Sequence, residues 1–108
     1  MSNEQRTLAA NLLLERVEMK RDIAQLKLDL SRKAEAMIKF GNLIRSNPHA
    51  VCVDEQEMQP DYASRAQKFS SEDFDAKQIA SVLAELRAKT DRLTAAEQQI
   101  RAMGYPLD

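Results

Sequence analysis

Residues 4–47 contain no proline, and apolar side chains recur through them in alternating steps of four and three. These steps are the heptad repeat of coiled coils, in which positions a and d face a partner helix. We name these positions the first seam: Leu12, Arg16, Met19, Ile23, Leu26, Leu30, Lys33, Met37, Phe40 and Ile44. Eight of the ten are apolar. The sequence therefore predicts one long helix over 4–47 with a face that requires a partner.

A second stretch, residues 72–103, repeats the pattern. Its positions form the second seam: Ile79, Val82, Leu86, Lys89, Leu93, Ala96, Ile100 and Met103. The large apolar residues that we expect at the helix interface are Met19, Ile23, Leu26, Leu30, Met37, Phe40, Ile79, Leu86, Leu93 and Ile100. The two seams predict an all-α fold, a long helical hairpin or antiparallel coiled coil that self-associates into a helical bundle.

Local signals mark the ends of both helices. The segments Ser2–Gln5 and Ser70–Asp73 resemble capping boxes, in which the first side chain accepts a backbone N–H three residues later. Pro48 disfavours helix at the residue before it, and Gly104 is a typical residue just beyond a helix end. We expect one helical domain over residues 1–108, with helices over about 4–47 and 72–103 and a connector over 48–71.

Charges beside the first seam leave the direction of pairing open. In a parallel pair of two copies, Glu15 would approach Lys20 of the other chain. Asp22 would approach Lys27 in the same way. Such exposed pairs contribute only about 0.2 to 1 kcal/mol each, so they bias the pairing without deciding it.

An antiparallel hairpin within one chain satisfies other charges. In that arrangement Lys27 would reach Glu97. Asp29 would reach Arg92 in nearly the same register. The sequence alone therefore supports both pairings.

A weaker apolar row lies away from the first seam. We name it the outer stripe: Leu14, Val17, Ala24, Leu28 and Ile38. Burying one leucine contributes about 1.5 to 3 kcal/mol, so the stripe favours another helix beside it, although scattered surface leucines are common. With Leu14, Val17, Leu28 and Ile38 as a second interface, we expect a homo-oligomer, most simply a dimeric four-helix bundle.

Lys33 and Lys89 stand at d positions inside apolar seams. Their aliphatic stems can pack while the ammonium groups reach water at the edge of the interface. Alternatively, they select the register and the oligomeric state at some cost in stability. A catalytic lysine would need neighbours that perturb its pKa, and the sequence places none beside them.

The connector is longer than most helix–helix connections. Val51–Val53 could form one short strand, and a short helix beginning at Pro60 would place Tyr62, Ala66 and Phe69 on one face. Residues 48–75 carry a net charge of −5, whereas residues 1–47 carry +3. We expect the connector to dock on the hairpin through its apolar residues.

The sequence offers few residues for catalysis or metal binding. Cys52 is the only cysteine and His49 the only histidine, so one chain supplies half of a structural zinc site and no disulfide. Two glycines, Gly41 and Gly104, cannot build a phosphate-binding loop. We therefore predict no enzymatic activity, no metal and no cofactor.

Charge and hydropathy disfavour two classes of partner, membranes and nucleic acids. The longest uncharged apolar run, residues 8–14, is far shorter than the roughly 20 residues of a membrane span. Lysine and arginine number 16 against 17 aspartate and glutamate, and basic residues are interleaved with acids, which makes nucleic acid an unfavoured partner. We expect a cytoplasmic protein.

The function predicted from these patterns is a non-enzymatic coiled-coil module. It would serve as an oligomeric scaffold, adaptor or regulator, binding another protein through its helix faces or its acidic connector. The alternative is a small chaperone or secretion-type accessory protein, whose adaptable surface would use Met19, Met37 and Met103. A nucleic-acid-associated regulator is the third, less favoured, hypothesis.

Overall fold

A computed structural model describes residues 2–54 and 66–107. The described chain is mostly helical, with two long helices, α1 (Asn3–Ser46) and α2 (Ala76–Ala102). Between them, the described residues form four short elements: a 3-10 helix (Pro48–Ala50), strand β1 (Val51–Val53), strand β2 (Gln67–Phe69) and a second 3-10 helix (Ser71–Phe74). The predicted pair of long helices is therefore present, and a pair of strands accompanies it.

The capping box at the start of α1 is confirmed. The Ser2 N–H donates to Gln5 Oε1 and the Gln5 N–H donates to Ser2 Oγ, each at 3.2 Å. The two bonds satisfy backbone donors that the first turn of a helix leaves without partners. At the other end α1 stops before Pro48, which occupies the first turn of the following 3-10 helix.

The start of α2 differs from the prediction. Ser70 does accept a backbone N–H, but it caps the second 3-10 helix. The cap of α2 is Asp75, whose Oδ1 accepts the amides of Lys77 at 2.9 Å and Gln78 at 3.3 Å. A carboxylate is favoured at this position because it also interacts with the positive end of the helix dipole. The long helix therefore begins at Ala76, four residues later than predicted.

Gly104 ends α2 as predicted. Its φ of 89° lies in the left-handed region that L side chains avoid. The Gly104 N–H donates to the Arg101 carbonyl at 2.9 Å, and the Tyr105 N–H donates to the Ile100 carbonyl at 3.3 Å. This pair of bonds is the Schellman arrangement, which satisfies carbonyls at a helix end.

The strand predicted at Val51–Val53 is confirmed, and β2 pairs with it in parallel. Val53 lies opposite Phe69, so Phe69 belongs to a strand and not to the expected short helix. Ala66, also expected in that helix, has no regular secondary structure, and Pro60 and Tyr62 lie outside the described residues. The fold therefore departs from an all-α architecture by one small two-stranded sheet.

Asp54 joins the ends of the two strands. Its N–H donates to the Phe69 carbonyl at 2.8 Å, and its carboxylate accepts the Ser71 N–H at 2.9 Å. The hydrogen bonds from Ser71 lower the pKa of Asp54 below its ordinary value of 3.8. Because the pKa is lowered by folding, this carboxylate stabilises the fold above pH 3.8 and loses its contribution as the pH falls further.

The chain forms two compact units. The first comprises Met1–Leu28 and Val82–Asp108, and the second comprises Asp29–Ser81. The core of the first unit is a cluster in which side chains of α1 and α2 pack together: Leu12, Met19, Ala96 and Ile100, with Leu13, Leu93, Met103, Tyr105 and Leu107 packed against it. Ile100, fully buried, lies at its centre.

The second unit is built around three aromatic rings. Phe40 of α1 lies 5.3 Å from Phe69 and 4.7 Å from Phe74, measured between ring centroids. The edge-on contact with Phe69 is one that aromatic pairs prefer. Phe69 is buried, so the part of the connector that the structure describes docks on α1 as expected.

Replacing each of the two glycines with alanine should change the free energy of unfolding in opposite directions. Gly41 lies inside α1 and Gly104 at the positive φ, and neither would place a new Cβ within 4 Å of another group. We expect Gly41→Ala to raise the free energy of unfolding by about 0.5 to 1 kcal/mol, because alanine is the better helix former. Gly104→Ala should lower it by about 1 kcal/mol, because alanine is strained at that φ.

Urea unfolding followed by circular dichroism measures both variants against the parent. A shift of the same sign for the two would contradict the assigned helix interior and helix end.

Candidate interaction surface

Three ion pairs join α1 to α2 in the first unit. Their partner atoms are 3.0 to 3.3 Å apart, and the pairs are Arg16 with Glu97, Asp22 with Lys89, and Glu15 with Arg92. Arg16 occupies an a position of the first seam, and its Nε donates to Glu97 Oε2. Arg16 is therefore matched by a charge from the other helix, which offsets part of the cost of its burial.

The ion pairs predicted for an intrachain hairpin were wrong in register. Glu97 is bound by Arg16 and not by Lys27, and Arg92 is bound by Glu15 and not by Asp29. Shifting one helix by seven residues restores nearly the same apolar contacts in a heptad pattern, so the seams alone do not fix the register. Asp29, the predicted partner of Arg92, lies two heptads after Glu15, the observed partner.

The ammonium groups of both seam lysines contact acceptor oxygens. Lys89 Nζ lies 3.0 Å from Asp22 and 3.3 Å from Glu85, and the hydrogen bond with Asp22 raises the pKa of Lys89. The charge on Lys89 therefore persists beyond pH 10.5, and the lysine's contribution to the pair is lost only as the pH rises through the raised value. Lys33 Nζ lies 3.3 Å from the Glu72 carbonyl and 3.9 Å from Asp73. These contacts agree with the expectation that the aliphatic stems of both lysines pack while their ammonium groups lie at the edge of the interface.

Most predicted interface residues are covered by the fold. Met19, Ile23 and Ile100 are buried, and Leu26, Leu30, Phe40, Ile79, Leu86 and Leu93 are partly buried. Met37 departs from this pattern, with 43% of its surface exposed. Ile79 is the first large apolar residue of α2, so the start of that helix offers no further side chain to cover Met37.

The outer stripe remains open. In the first unit Leu14, Val17 and Leu28 keep 59%, 52% and 45% of their surface exposed. In the second unit Ile38 is also exposed. Removing such side chains from water lowers the free energy, so this exposed apolar row is a candidate contact surface.

Three basic side chains accompany the outer stripe in the first unit. Lys20, Arg21 and Lys27 are exposed and form no ion pair with any residue that the structure describes. No acidic residue stands three or four positions from Lys20 or Lys27, the spacing at which helical side chains pair. Sequence reasoning missed this grouping because it assigned both lysines to a parallel pairing of the first seam.

A shallow apolar groove lies in the second unit. It encloses about 350 Å³ and is lined by Leu30, Lys33, Ala34, Met37, Ile38 and Ile79. Sites for small ligands usually add several oriented polar groups to an apolar lining. Lys33 is the one polar residue among these lining side chains, and it already contacts Glu72 and Asp73. The groove is therefore suited to packing more than to ligand recognition.

His49 and Cys52 lie in two successive short elements. His49 lies in the first 3-10 helix, whereas Cys52 is buried in β1 with its Sγ 3.6 Å from the Asp54 carbonyl. Among residues 2–54 and 66–107, no group of three or more His, Cys, Asp or Glu side chains could hold a metal ion.

No family model, curated protein or solved structure matches this chain. Neither α1 nor any other helix in the described part of the chain is long and apolar enough to cross a bilayer.

The interhelical ion pairs should differ in strength according to their exposure. The Arg16 and Glu97 side chains are 16% and 22% exposed, whereas those of Arg92 and Glu15 are 66% and 41% exposed. We expect a coupling free energy of about 1 kcal/mol for the first pair and at most about 0.3 kcal/mol for the second, because water screens the exposed charges.

Double-mutant cycles with alanine at both members of each pair, read by urea unfolding, measure these couplings. The exposed pair is the control for the partly buried one. Equal couplings would contradict the assigned environment of Arg16.

Proposed function

We propose that this chain is a non-enzymatic interaction protein in which α1 and α2 pack as an antiparallel coiled-coil hairpin. Two ion pairs support that direction, since Arg16 contacts Glu97 whereas Asp22, further along α1, contacts Lys89, earlier on α2. The acids Glu15 and Asp22, which a parallel pair of copies would need, are used by α2 of the same chain. The hairpin is the scaffold, and its exposed apolar face binds the partner.

One observation carries the proposal: Leu14, Val17 and Leu28 are about half exposed on α1, whose first seam is occupied by α2. A helix that needs only one partner has a single apolar stripe. An additional stripe of large side chains indicates a second packing surface, and their burial would contribute about 1.5 to 3 kcal/mol per leucine.

The partner of that surface is a second copy or a different protein. A second copy would give the dimeric four-helix bundle that the sequence favours. The chaperone alternative has less support, because Met19 is buried and Met103 packs against the core, so these methionines fill the interior instead of forming an adaptable surface.

We place the protein in the cytoplasm, where a single buried cysteine remains reduced.

An interaction surface should be removable without loss of the fold. We expect the double variant Leu14→Gln, Leu28→Gln to unfold at the parent's urea midpoint, within about 0.5 kcal/mol, because both side chains already face water. Leu12→Gln, a matched change at a buried position, should lower the free energy of unfolding by about 2 to 4 kcal/mol.

Light scattering after size exclusion, over a hundredfold dilution, identifies the occupant. A dimer that the double variant abolishes would assign the surface to a second copy, and a monomer would assign it to another protein. Unfolding of the double variant to the extent seen for Leu12→Gln would show that the stripe belongs to the core and would contradict the proposed function.

A further inference from the structure

We propose that the outer stripe of the first unit binds an acidic amphipathic helix of a different protein. This inference rests on the proposed function and names the partner's chemistry. It follows from the combination of an exposed apolar row with basic side chains that no described residue neutralises.

The apolar part of the site has the spacing of a helix-binding face. Steps of four and three along α1 place these residues on one side: Ala10, Leu14, Val17, Arg21, Ala24 and Leu28. Ala10 and Ala24 are small, so larger side chains of a partner helix can insert beside them, as knobs enter holes in a coiled coil. The row extends over residues 10–28, which is five turns of helix.

The charged part selects the partner. Lys20, Arg21 and Lys27 stand within or directly beside the row, all exposed. Of the neighbouring acids, Glu15 and Asp22 are bound to Arg92 and Lys89 of α2. Glu18 is exposed three residues before Arg21, whereas Lys20 and Lys27 have no acid three or four positions away. A partner helix with glutamate or aspartate beside its apolar positions would complement all three cations, and such pairing sets the choice of partner in coiled coils.

The same charges disfavour a parallel pairing with a second copy. Two outer stripes packed in parallel and in register would bring Lys20, Arg21 and Lys27 of one chain against the same three cations of the other. Like charges that face each other across an interface are repelled, and this repulsion excludes wrong partners. Polyanions such as nucleic acid would satisfy the cations but would leave Leu14, Val17 and Leu28 in water. An acidic helix satisfies both parts of the surface.

Two synthetic probes test the inference. They are fluorescently labelled 21-residue helical peptides with identical leucines at a and d, one with glutamate and the other with lysine at every e and g position. We expect the full-length protein to bind the glutamate peptide at least tenfold more tightly than the lysine peptide, measured by fluorescence anisotropy at 0.15 M salt, where exposed charges interact over about 8 Å.

Two variants separate the contributions to binding. Lys20→Glu with Lys27→Glu should reverse the preference between the peptides. Leu14→Gln with Leu28→Gln should weaken the glutamate peptide at least tenfold while leaving the unfolding midpoint unchanged.

The control is Lys77→Glu with Arg87→Glu. It changes the net charge by the same amount at exposed positions of α2, and it should keep the parent's affinities within about twofold.

Each of the other outcomes contradicts a different part of the proposal. Equal affinity for the two peptides overturns the proposal of an acidic partner but leaves the interaction surface in place. Binding of neither peptide by a protein that stays monomeric overturns the proposed function as well. A dimer abolished by the leucine variant assigns the face to a second copy. Tighter binding to phosphatidylserine vesicles or duplex DNA that the lysine variant abolishes and the leucine variant does not would replace the acidic helix with an anionic surface.

Discussion

The packing of the first seam of α1 against α2 is the contact on which the rest of the structure depends. It buries Ile100 completely, packs Leu12, Met19 and Ala96 around it, and brings Arg16 within hydrogen-bonding distance of Glu97. The face of α1 that packs against α2 cannot contact another partner at the same time. The exposed row beside Leu14 and Leu28 is then an apolar surface of the first unit that a second protein can reach.

Charge gives this arrangement its specificity. Apolar heptads attract one another in several registers, and the seven-residue repeat makes those registers similar in energy. The acids Glu15 and Asp22 are held by α2, whereas the basic residues Lys20 and Lys27, on the other flank of the first seam, have no described partner. The cations Lys20 and Lys27 are thus left exposed beside the outer stripe, which is the physical basis of the acidic partner that we propose.

How far the sequence predicts this structure depends on whether a feature is local. Ser2 with Gln5, the stop at Gly104 and the strand at Val51–Val53 are set by neighbouring residues, and all three were predicted. The register was not, because it is decided by the caps and connector that fix where α2 begins, and Asp75 places that start later than the Ser70 signal suggested. The outer stripe was visible as a periodic pattern, but its unpaired lysines became apparent only once α2 had taken the acids.

The central claim is that the seam closes within one chain, and a cross-link tests it most directly. In a Cys52→Ala background, Glu15→Cys and Arg92→Cys place thiols at an exposed contact, and a short bis-maleimide reagent joins them. The account predicts a product with the mass of one chain, 12.3 kDa plus the linker, at every protein concentration over a hundredfold range, and no such product for Lys20→Cys with Arg92→Cys. A two-chain product whose yield rises with concentration would contradict it.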